Sequence, residues 1–328
     1  MTWCARRASA ALVVLACLAG GARVAAQDAG TDGPVRVAGS AAPWVPGAAF
    51  RQLPSAAALR ELYAGRADAV LVSLPGGAAP RGVSPVAWVP VAVFPVLIAY
   101  HLPGAELRLD LRLACRIFAG RVRVWNDAEI ARLNPEARLP ALPILVSARH
   151  AANAGSLAFA DACVRGGWWP RAWRKSNWVA GAAFARATLQ EQTRDLRLMG
   201  AVGVFGAREL PAGAQVARLR TLGGAFVPPA GTLGLAPGSV PTRPGQSLSL
   251  PQQTSAYPLR GLVWAGVLRQ QQYRGRTVRE AAATLAFVRA LQASGSADFE
   301  PLPLGARREW RVVFGGQPLE KLLAPAVP

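Results

Sequence analysis

The sequence predicts an α/β fold of two lobes joined by crossing strands. Short apolar runs alternate with helical patterns from Pro34 onward. A long β-rich stretch occupies the middle of the chain at Val86–Tyr100, and a second follows at Tyr257–Leu268. The 328 residues are 52% hydrophobic and 17% charged, which is typical of a globular chain with room for two cores.

The first lobe is predicted to open with a β-α-β unit. Residues 34–40 have the pattern of a strand that ends in a glycine turn. Residues 55–66 have the pattern of a helix with Ser55 as its candidate N-cap and with Leu59, Leu62 and Tyr63 on one face. A buried strand at Ala69–Val72 completes the unit, and this order favours a parallel sheet.

The same alternation continues through the rest of the chain. The predicted elements are a helix at 109–118 closed by Gly120, a helix at 127–133, a strand at 144–146, a helix at 156–164, a strand at 200–205, a loop-rich segment at 223–256 and a helix at 277–291.

The N-terminus has the pattern of an export signal, predicted to span residues 1–26. Two arginines, Arg6 and Arg7, precede an apolar run at 10–19 that is too short to span a bilayer. Small residues at 24–26 offer a cleavage site before Gln27, so we expect a periplasmic protein. Residues 14–17 also have the pattern of a lipid-attachment box, so a lipoprotein anchored at Cys17 is the second interpretation. It ranks second because the apolar run continues past Cys17 and the cleavage site follows.

Cysteine and histidine usage argues against a metal site and leaves the pairing of two cysteines open. Cys115 and Cys163 remain after removal of the signal, and they either form a disulfide in an oxidising compartment or pack as free thiols. With His101 and His150 as the two histidines, no cluster has the spacing of metal ligands. We therefore expect neither a metal nor another cofactor.

Charge and motif content argue against a nucleic-acid-binding protein and against an enzyme. The formal net charge is +19, but the arginines are spread along the chain and accompany no nucleic-acid motif. The Gly-x-Ser-x-Gly, His-Glu-x-x-His, P-loop and dinucleotide-binding patterns are all absent from the sequence. The positive charge still favours an anionic ligand.

One segment carries a family resemblance. Residues 117–135 read IFAGRVRVWNDAEIARLNP, and Leu139-Pro140 and Pro143-Ile144 follow. This segment resembles the second-lobe signature of the periplasmic phosphate-binding proteins of phosphate ABC transporters. Weaker similarities occur at 37–40, 66–68, 200–203, 257–259 and 298–303.

The resemblance implies a type II periplasmic-binding-protein-like fold with crossing hinge strands. Its first lobe is expected to comprise 34–98 with 257–328, and its second lobe 99–256. A dehydrated anion held between such lobes needs many donors at once, from helix N-termini, hydroxyls and an arginine. The residues that fall on this pattern are Arg149, Ser55, Asn153, Ser156, Ser73 and Ser40.

The sequence departs from the family pattern at three places in the first lobe. Ser73 replaces the aspartate that accepts a proton from phosphate and rejects sulfate, and Pro43 replaces a threonine. Between Ala42 and Phe50 there is no room for the family's first helix, because the segment Pro43–Gly47 cannot be helical. Any anion binding is therefore expected to be weak and poorly selective.

We accordingly expect an exported, monomeric, non-enzymatic solute-binding protein. Its ligand would be phosphate or a related anion held in the cleft between the lobes, and its partner an ABC transporter permease. The alternative is a degenerate exported interaction protein that binds no small solute. An aromatic group of Trp168, Trp169, Trp173 and Trp178 is expected to serve packing in preference to ligand stacking.

Overall fold

A computed structural model of the chain describes residues 33–178, 182, 184–206, 208–229, 233–244, 248, 253–307 and 311–323. The helices are α1 (Ser55–Tyr63), α2 (Leu111–Phe118), α3 (Ala128–Leu133), α4 (Ala154–Arg165), α5 (Leu189–Asp195), α6 (Val278–Ala293) and α7 (Leu319–Leu323). Short 3-10 turns lie at Arg171–Trp173, Pro237–Ser239 and Leu304–Ala306.

The strands up to the middle of the chain are β1 (Val35–Gly39), β2 (Ala48–Gln52), β3 (Ala69–Val72), β4 (Val86–Tyr100), β5 (Arg108–Leu109), β6 (Leu145–Arg149), β7 (Phe184–Arg186) and β8 (Ala201–Gly206). The later strands are β9 (Gln215–Val216), β10 (Arg218–Arg220), β11 (Phe226–Val227), β12 (Arg260–Leu268), β13 (Glu300–Pro301), β14 (Val313–Phe314) and β15 (Gln317–Pro318).

The main sheet runs in the order β2-β1-β3-β12-β4-β8-β6-β7, and β9 and β13 also pair with β4. Strands β1, β2 and β3 are mutually parallel, as are β6, β7 and β8. Strand β4 separates these two parallel groups, because it is antiparallel to β12 on one side and to β8 on the other. The α/β architecture predicted from the sequence is confirmed.

Strand β4 changes partner along its length. Its segment 86–95 pairs with β12, and from Val96 onward it pairs with β8. Proline cannot donate to a ladder, yet β4 contains two prolines. Pro95 lies at the change of partner, and Pro90 lies beside a register shift in which Val91 is the extra residue. Both prolines therefore occupy places where the ladder is already interrupted.

A buried tyrosine stabilises β4 at the point where its pairing changes from β12 to β8. The fully buried Tyr257 donates from its hydroxyl to the carbonyl oxygen of Val96 at 3.0 Å. The backbone N–H of Val96 donates in turn to the carbonyl of Leu259 at 2.9 Å. Burial raises the pKa of the Tyr257 hydroxyl well above its usual range, so the group stays a neutral donor.

The predicted elements are largely present, with three corrections. Ser55 is not the N-cap of α1, because Pro54 takes that position without a side-chain capping bond and Ser55 is the first helical residue. The strand β2 was not predicted. It follows the non-helical segment at 40–47 and pairs with β1 in parallel. The predicted helix at 109–118 begins at Leu111, because Asp110 caps it by accepting from the N–H of Leu113.

A buried carboxylate holds the start of β3. Asp68 accepts from the Arg36 backbone at 2.9 Å and from its guanidinium at 2.7 and 3.0 Å, and it forms an ion pair with the buried Arg276. Burial alone would raise the pKa of Asp68, but the bonds from Arg36 and the charge of Arg276 outweigh it and hold this pKa below its usual value. The contribution of this cluster to stability is therefore present above pH ~4 and is lost as the pH falls further.

A disulfide joins α2 to α4. Cys115 and Cys163 are both fully buried, and their Cα atoms lie 5.7 Å apart. This settles the alternative left open by the sequence in favour of the paired form. Trp169 and Trp178 pack beside the bond with their ring centroids 4.5 Å apart, and the indole N–H of Trp169 donates to the Cys115 carbonyl at 2.9 Å. The predicted packing role of the tryptophans is confirmed.

The predicted signal at 1–26, with its cleavage site and the alternative anchor at Cys17, lies outside the described residues. Within the described ranges, we find no helix with the length and apolar content to cross a membrane. The same ranges contain no group of three or more potential metal-ligating side chains.

We predict that removing the disulfide destabilises a chain beginning at Gln27 by about 2–4 kcal/mol. The bond spans 48 residues, so its loss enlarges the unfolded ensemble. Urea unfolding of C115A/C163A measures the effect, and unfolding of the reduced native chain is the control that separates bond loss from lost side-chain volume. Two titratable thiols in denatured, unreduced protein would contradict the pairing.

Candidate functional site

Three serines meet where the first group of parallel strands ends. Ser40 follows β1, Ser73 follows β3, and Ser55 begins α1. The hydroxyl oxygens of Ser40 and Ser55 lie 3.4 Å apart, and the backbone N–H of Ser73 donates to the Ser40 hydroxyl at 3.4 Å. Three predicted site residues are therefore brought together at the carboxyl edge of the sheet, where open α/β sheets bind ligands.

A glycine makes this convergence possible. A Cβ at Gly39 would lie 1.9 Å from the carbonyl oxygen of Leu71. The close approach of β1 to β3 just before Ser40 and Ser73 therefore requires a residue without a side chain at this position. The close packing of β1 against β3 thus explains the glycine that the sequence places at the end of the first strand.

Arg149 ends β6 in the second group of parallel strands. The residue is only 4% exposed, and its Nη2 donates to the Glu209 carboxylate at 2.8 Å. The same Glu209 oxygen accepts from the backbone N–H of Gly206 at 2.7 Å, which fixes the carboxylate at the end of β8. Among the described residues, the buried Nε of Arg149 has no hydrogen-bond partner.

Asn153 has a structural role at the start of α4. Its side-chain oxygen accepts from the backbone N–H of Ser156 at 2.8 Å, which makes it the N-cap. Its amide donates to the carbonyl oxygens of Ala151 and Ser176 at 3.0 and 3.4 Å. The expectation that this amide is available to an anion is therefore not met in this conformation, because both bonds stay within the chain.

The first turn of α4 packs onto the end of β8. A Cβ at Gly155 would lie 3.4 Å from the Phe205 carbonyl carbon and 3.5 Å from the Gly206 nitrogen. Ser156 is buried in the same turn. The helix start, Arg149 and Glu209 thus converge on Gly206, so a cation and a helix N-terminus lie at one edge of the sheet.

A cavity lies between α4 and the first group of strands. Its walls come from the loop after β3, from one face of α4 and from β12. The residues that line it include Ser73, Ala154, Leu157, Ala158, Asp161, Arg165, Arg260, Leu262 and Trp264. Ser73 and the first turn of α4 therefore face the same space. Arg149, Ser40 and Ser55 are not among the residues that line it.

Charged groups close the far end of this cavity. Asp161 is paired with Arg165 at 2.8 Å and with Arg174 at 2.5 Å. Arg260 donates to the carbonyl oxygens of Leu233 and Gly234. Burial lowers the pKa of the Arg260 guanidinium to about 10, against the opposing charge of Glu300.

No protein-family profile matches the chain. Among curated proteins, the phosphate-binding protein PstS2 of Mycobacterium bovis is 40% identical over 73 residues, which are 22% of this chain and 20% of that protein. PstS 3 of Mycobacterium leprae is 36% identical over 88 residues, 26% of this chain and 24% of its own length. The matched segments thus span about a fifth to a quarter of these relatives.

Solved structures resemble the chain over most of its length. A human phosphate-binding apolipoprotein has a TM-score of 0.59 at 15% identity, covering 82% of this chain and 91% of its own. A phosphate-binding protein from Stenotrophomonas maltophilia has a TM-score of 0.57 at 11% identity, with 83% and 91% covered. The chain has the fold of the phosphate-binding proteins. The resemblance found in the sequence and the predicted fold class are confirmed.

This phosphate-binding-protein fold contains site features that sequence reasoning missed. Glu209, the partner of Arg149, is 60 residues away along the chain, and no motif marks it. Asp161, Arg165 and Arg260 of the cavity wall were missed for the same reason. Ala154, Leu157, Ala158 and Asp161 follow one another at helical spacings of three and four residues, and all four line the cavity. This spacing is the sequence pattern from which the cavity-facing side of α4 could have been predicted.

We predict that Asn153→Ala destabilises the protein by about 1 kcal/mol, because α4 loses its N-cap. Asn153→Asp keeps an acceptor for the Ser156 N–H but loses the amide donors to Ala151 and Ser176, so it separates the contribution of the cap from that of those two bonds. Urea unfolding of both variants makes the comparison. Equal stability of wild type and Asn153→Ala would show that the capping bond contributes nothing.

Proposed function

We propose that this protein is an exported solute-binding protein for a phosphoryl anion or a related oxyanion. The anion would lie between two lobes, the first comprising 34–98 with 257–328 and the second 99–256, which close over it. Ser40, Ser55 and Ser73 would donate from the first lobe. Arg149 would bind from the second, together with Ser156 and the first turn of α4, which Asn153 caps.

The buried guanidinium of Arg149 is the observation that carries this proposal. Its Nη2 is held by Glu209 at 2.8 Å, while its buried Nε has no hydrogen-bond partner among the described residues. A buried donor without a partner is costly, and a bound oxyanion would satisfy it. The guanidinium is already fixed in place, so binding an anion would cost little ordering of the side chain.

The compared proteins support the same class of function. Their names describe phosphate-binding proteins, and one of the solved structures is described as a high-affinity periplasmic phosphate-binding protein bound with phosphate. A binding protein without catalytic activity, located in the periplasm and delivering its ligand as a monomer to an ABC transporter permease, follows as part of our proposal. These comparisons do not favour the alternative of an interaction protein without a solute.

We predict that Arg149→Ala abolishes anion binding, since removal of one member of a buried charge pair costs about 2–5 kcal/mol. Arg149→Lys keeps a positive charge near Glu209 but removes the Nε donor, and is expected to weaken binding at least tenfold. Calorimetric titration with phosphate and sulfate measures both variants. Arg132→Ala, which removes an exposed arginine from α3, is the matched control. Unchanged binding in both Arg149 variants would exclude this residue from the site.

We also predict that wild type binds phosphate and sulfate with similar, weak affinity and that Ser73→Asp restores selectivity. A carboxylate accepts a hydrogen bond from protonated phosphate, whereas it presents an unpaired negative charge to sulfate. Sulfate binding is expected to fall at least tenfold while phosphate binding persists. Ser296→Asp adds the same charge at an exposed position away from the cavity wall and serves as the control. Tight, phosphate-only binding by wild type would refute this prediction.

A further inference from the structure

The cavity beside Ser73 extends beyond the residues that would hold an inorganic oxyanion. Its volume is about 90 Å³, which corresponds to roughly three waters at the ~30 Å³ that each occupies in the liquid. Arg149, Ser40 and Ser55 do not line it. An oxyanion bound by those residues therefore leaves this space for a further part of the ligand.

The middle of this cavity is apolar on both sides. Leu157 and Ala158 face it from α4, and Leu262 and Trp264 face it from β12. Trp264 is 3% exposed, so its indole is held in place by the core on its other side. A rigid apolar slot with an aromatic wall is the usual environment for the organic part of a small ligand.

The two ends of the cavity differ in chemistry. Ser73 and Ala154 lie at the end that belongs to the candidate anion site, and Ala154 begins the first turn of α4. Asp161 and Arg165 lie two to three turns farther along the helix, and these two side chains are paired with each other at 2.8 Å. An apolar group that enters between the ends would therefore leave this ion pair intact.

We propose that the ligand of this protein is a phosphoryl anion that carries an organic substituent, such as an aryl or alkyl phosphonate or phosphate monoester. The inference rests on the proposed function, because the phosphoryl group would occupy the anion site. The substituent would lie between Leu157 and Ala158 on α4 and Leu262 and Trp264 on β12. Burial of a phenyl-sized group there would add a hydrophobic contribution that inorganic phosphate cannot supply.

Titration calorimetry with inorganic phosphate, methylphosphonate, propylphosphonate and phenylphosphonate tests the inference on the native chain. The three phosphonates share a head group and differ only in the apolar substituent. We expect affinity to rise with substituent size, with phenylphosphonate binding on the order of tenfold more tightly than methylphosphonate.

Ala158→Phe would fill the slot from the half-buried face of α4. We expect it to remove the preference for phenylphosphonate while leaving the affinity for methylphosphonate within about threefold. Ala286→Phe, at an exposed position of α6, is the matched control and should keep the preference. The comparison of the three phosphonates on the wild-type protein needs no variant. It therefore tests the inference even where Ala158→Phe does not fold.

The possible results separate this inference from the function on which it rests. Binding of phosphate and methylphosphonate with a loss of affinity for the larger phosphonates would overturn the inference and leave the anion site standing. A preference for phenylphosphonate that survives Ala158→Phe in a folded variant would overturn the assignment of the slot. Absence of binding for all four compounds would overturn both the inference and the proposed function.

Discussion

The fold depends on strand β4, which pairs with β12 along its first part and with β8 along its second. Strand β4 pairs with β12 through Pro95 and with β8 from Val96, so the two parallel groups are joined through continuous backbone. A strand buried on both sides has to satisfy its backbone groups, and proline removes one donor each time it occurs. The chain places its two prolines at a bulge and at the change of partner, and Tyr257 bonds the carbonyl of Val96 at that change.

This arrangement of strands also fixes where the polar residues of the candidate site lie. Because β4 is antiparallel to its neighbours, each parallel group keeps its own carboxyl edge, and each edge carries polar residues: the three serines on one and Arg149 with Glu209 on the other. Helix α4 then packs against β12 and shares a cavity with Ser73. The candidate site is thus assembled from residues that are distant along the chain but lie at equivalent ends of strands.

Local signals in the sequence predict the elements well and the long-range contacts poorly. Val86–Tyr100 was predicted with its observed bounds, since apolar, β-branched residues continue without a helical period. Strand β2 was missed because Ala48–Gln52 has no apolar alternation and follows a proline-rich segment. The Arg149–Glu209 pair and the amide bonds of Asn153 could not be predicted, because the partners of a buried polar group are set by tertiary packing. The resemblance located Arg149 but could not reveal that its carboxylate partner lies beyond β8.

The link between Cys115 and Cys163 also changes how the protein responds to damage. A cut in the backbone anywhere between the two cysteines would open the segment that holds α3, β6 and the start of α4, yet the two fragments would remain one molecule through the bond. Trp169 and Trp178 pack against Phe118 of α2 and Phe159 of α4. The nicked fragments would therefore also keep a shared apolar interface. In an environment rich in proteases, such a protein would lose its chain continuity and still keep α2 and α4 linked beside the candidate site.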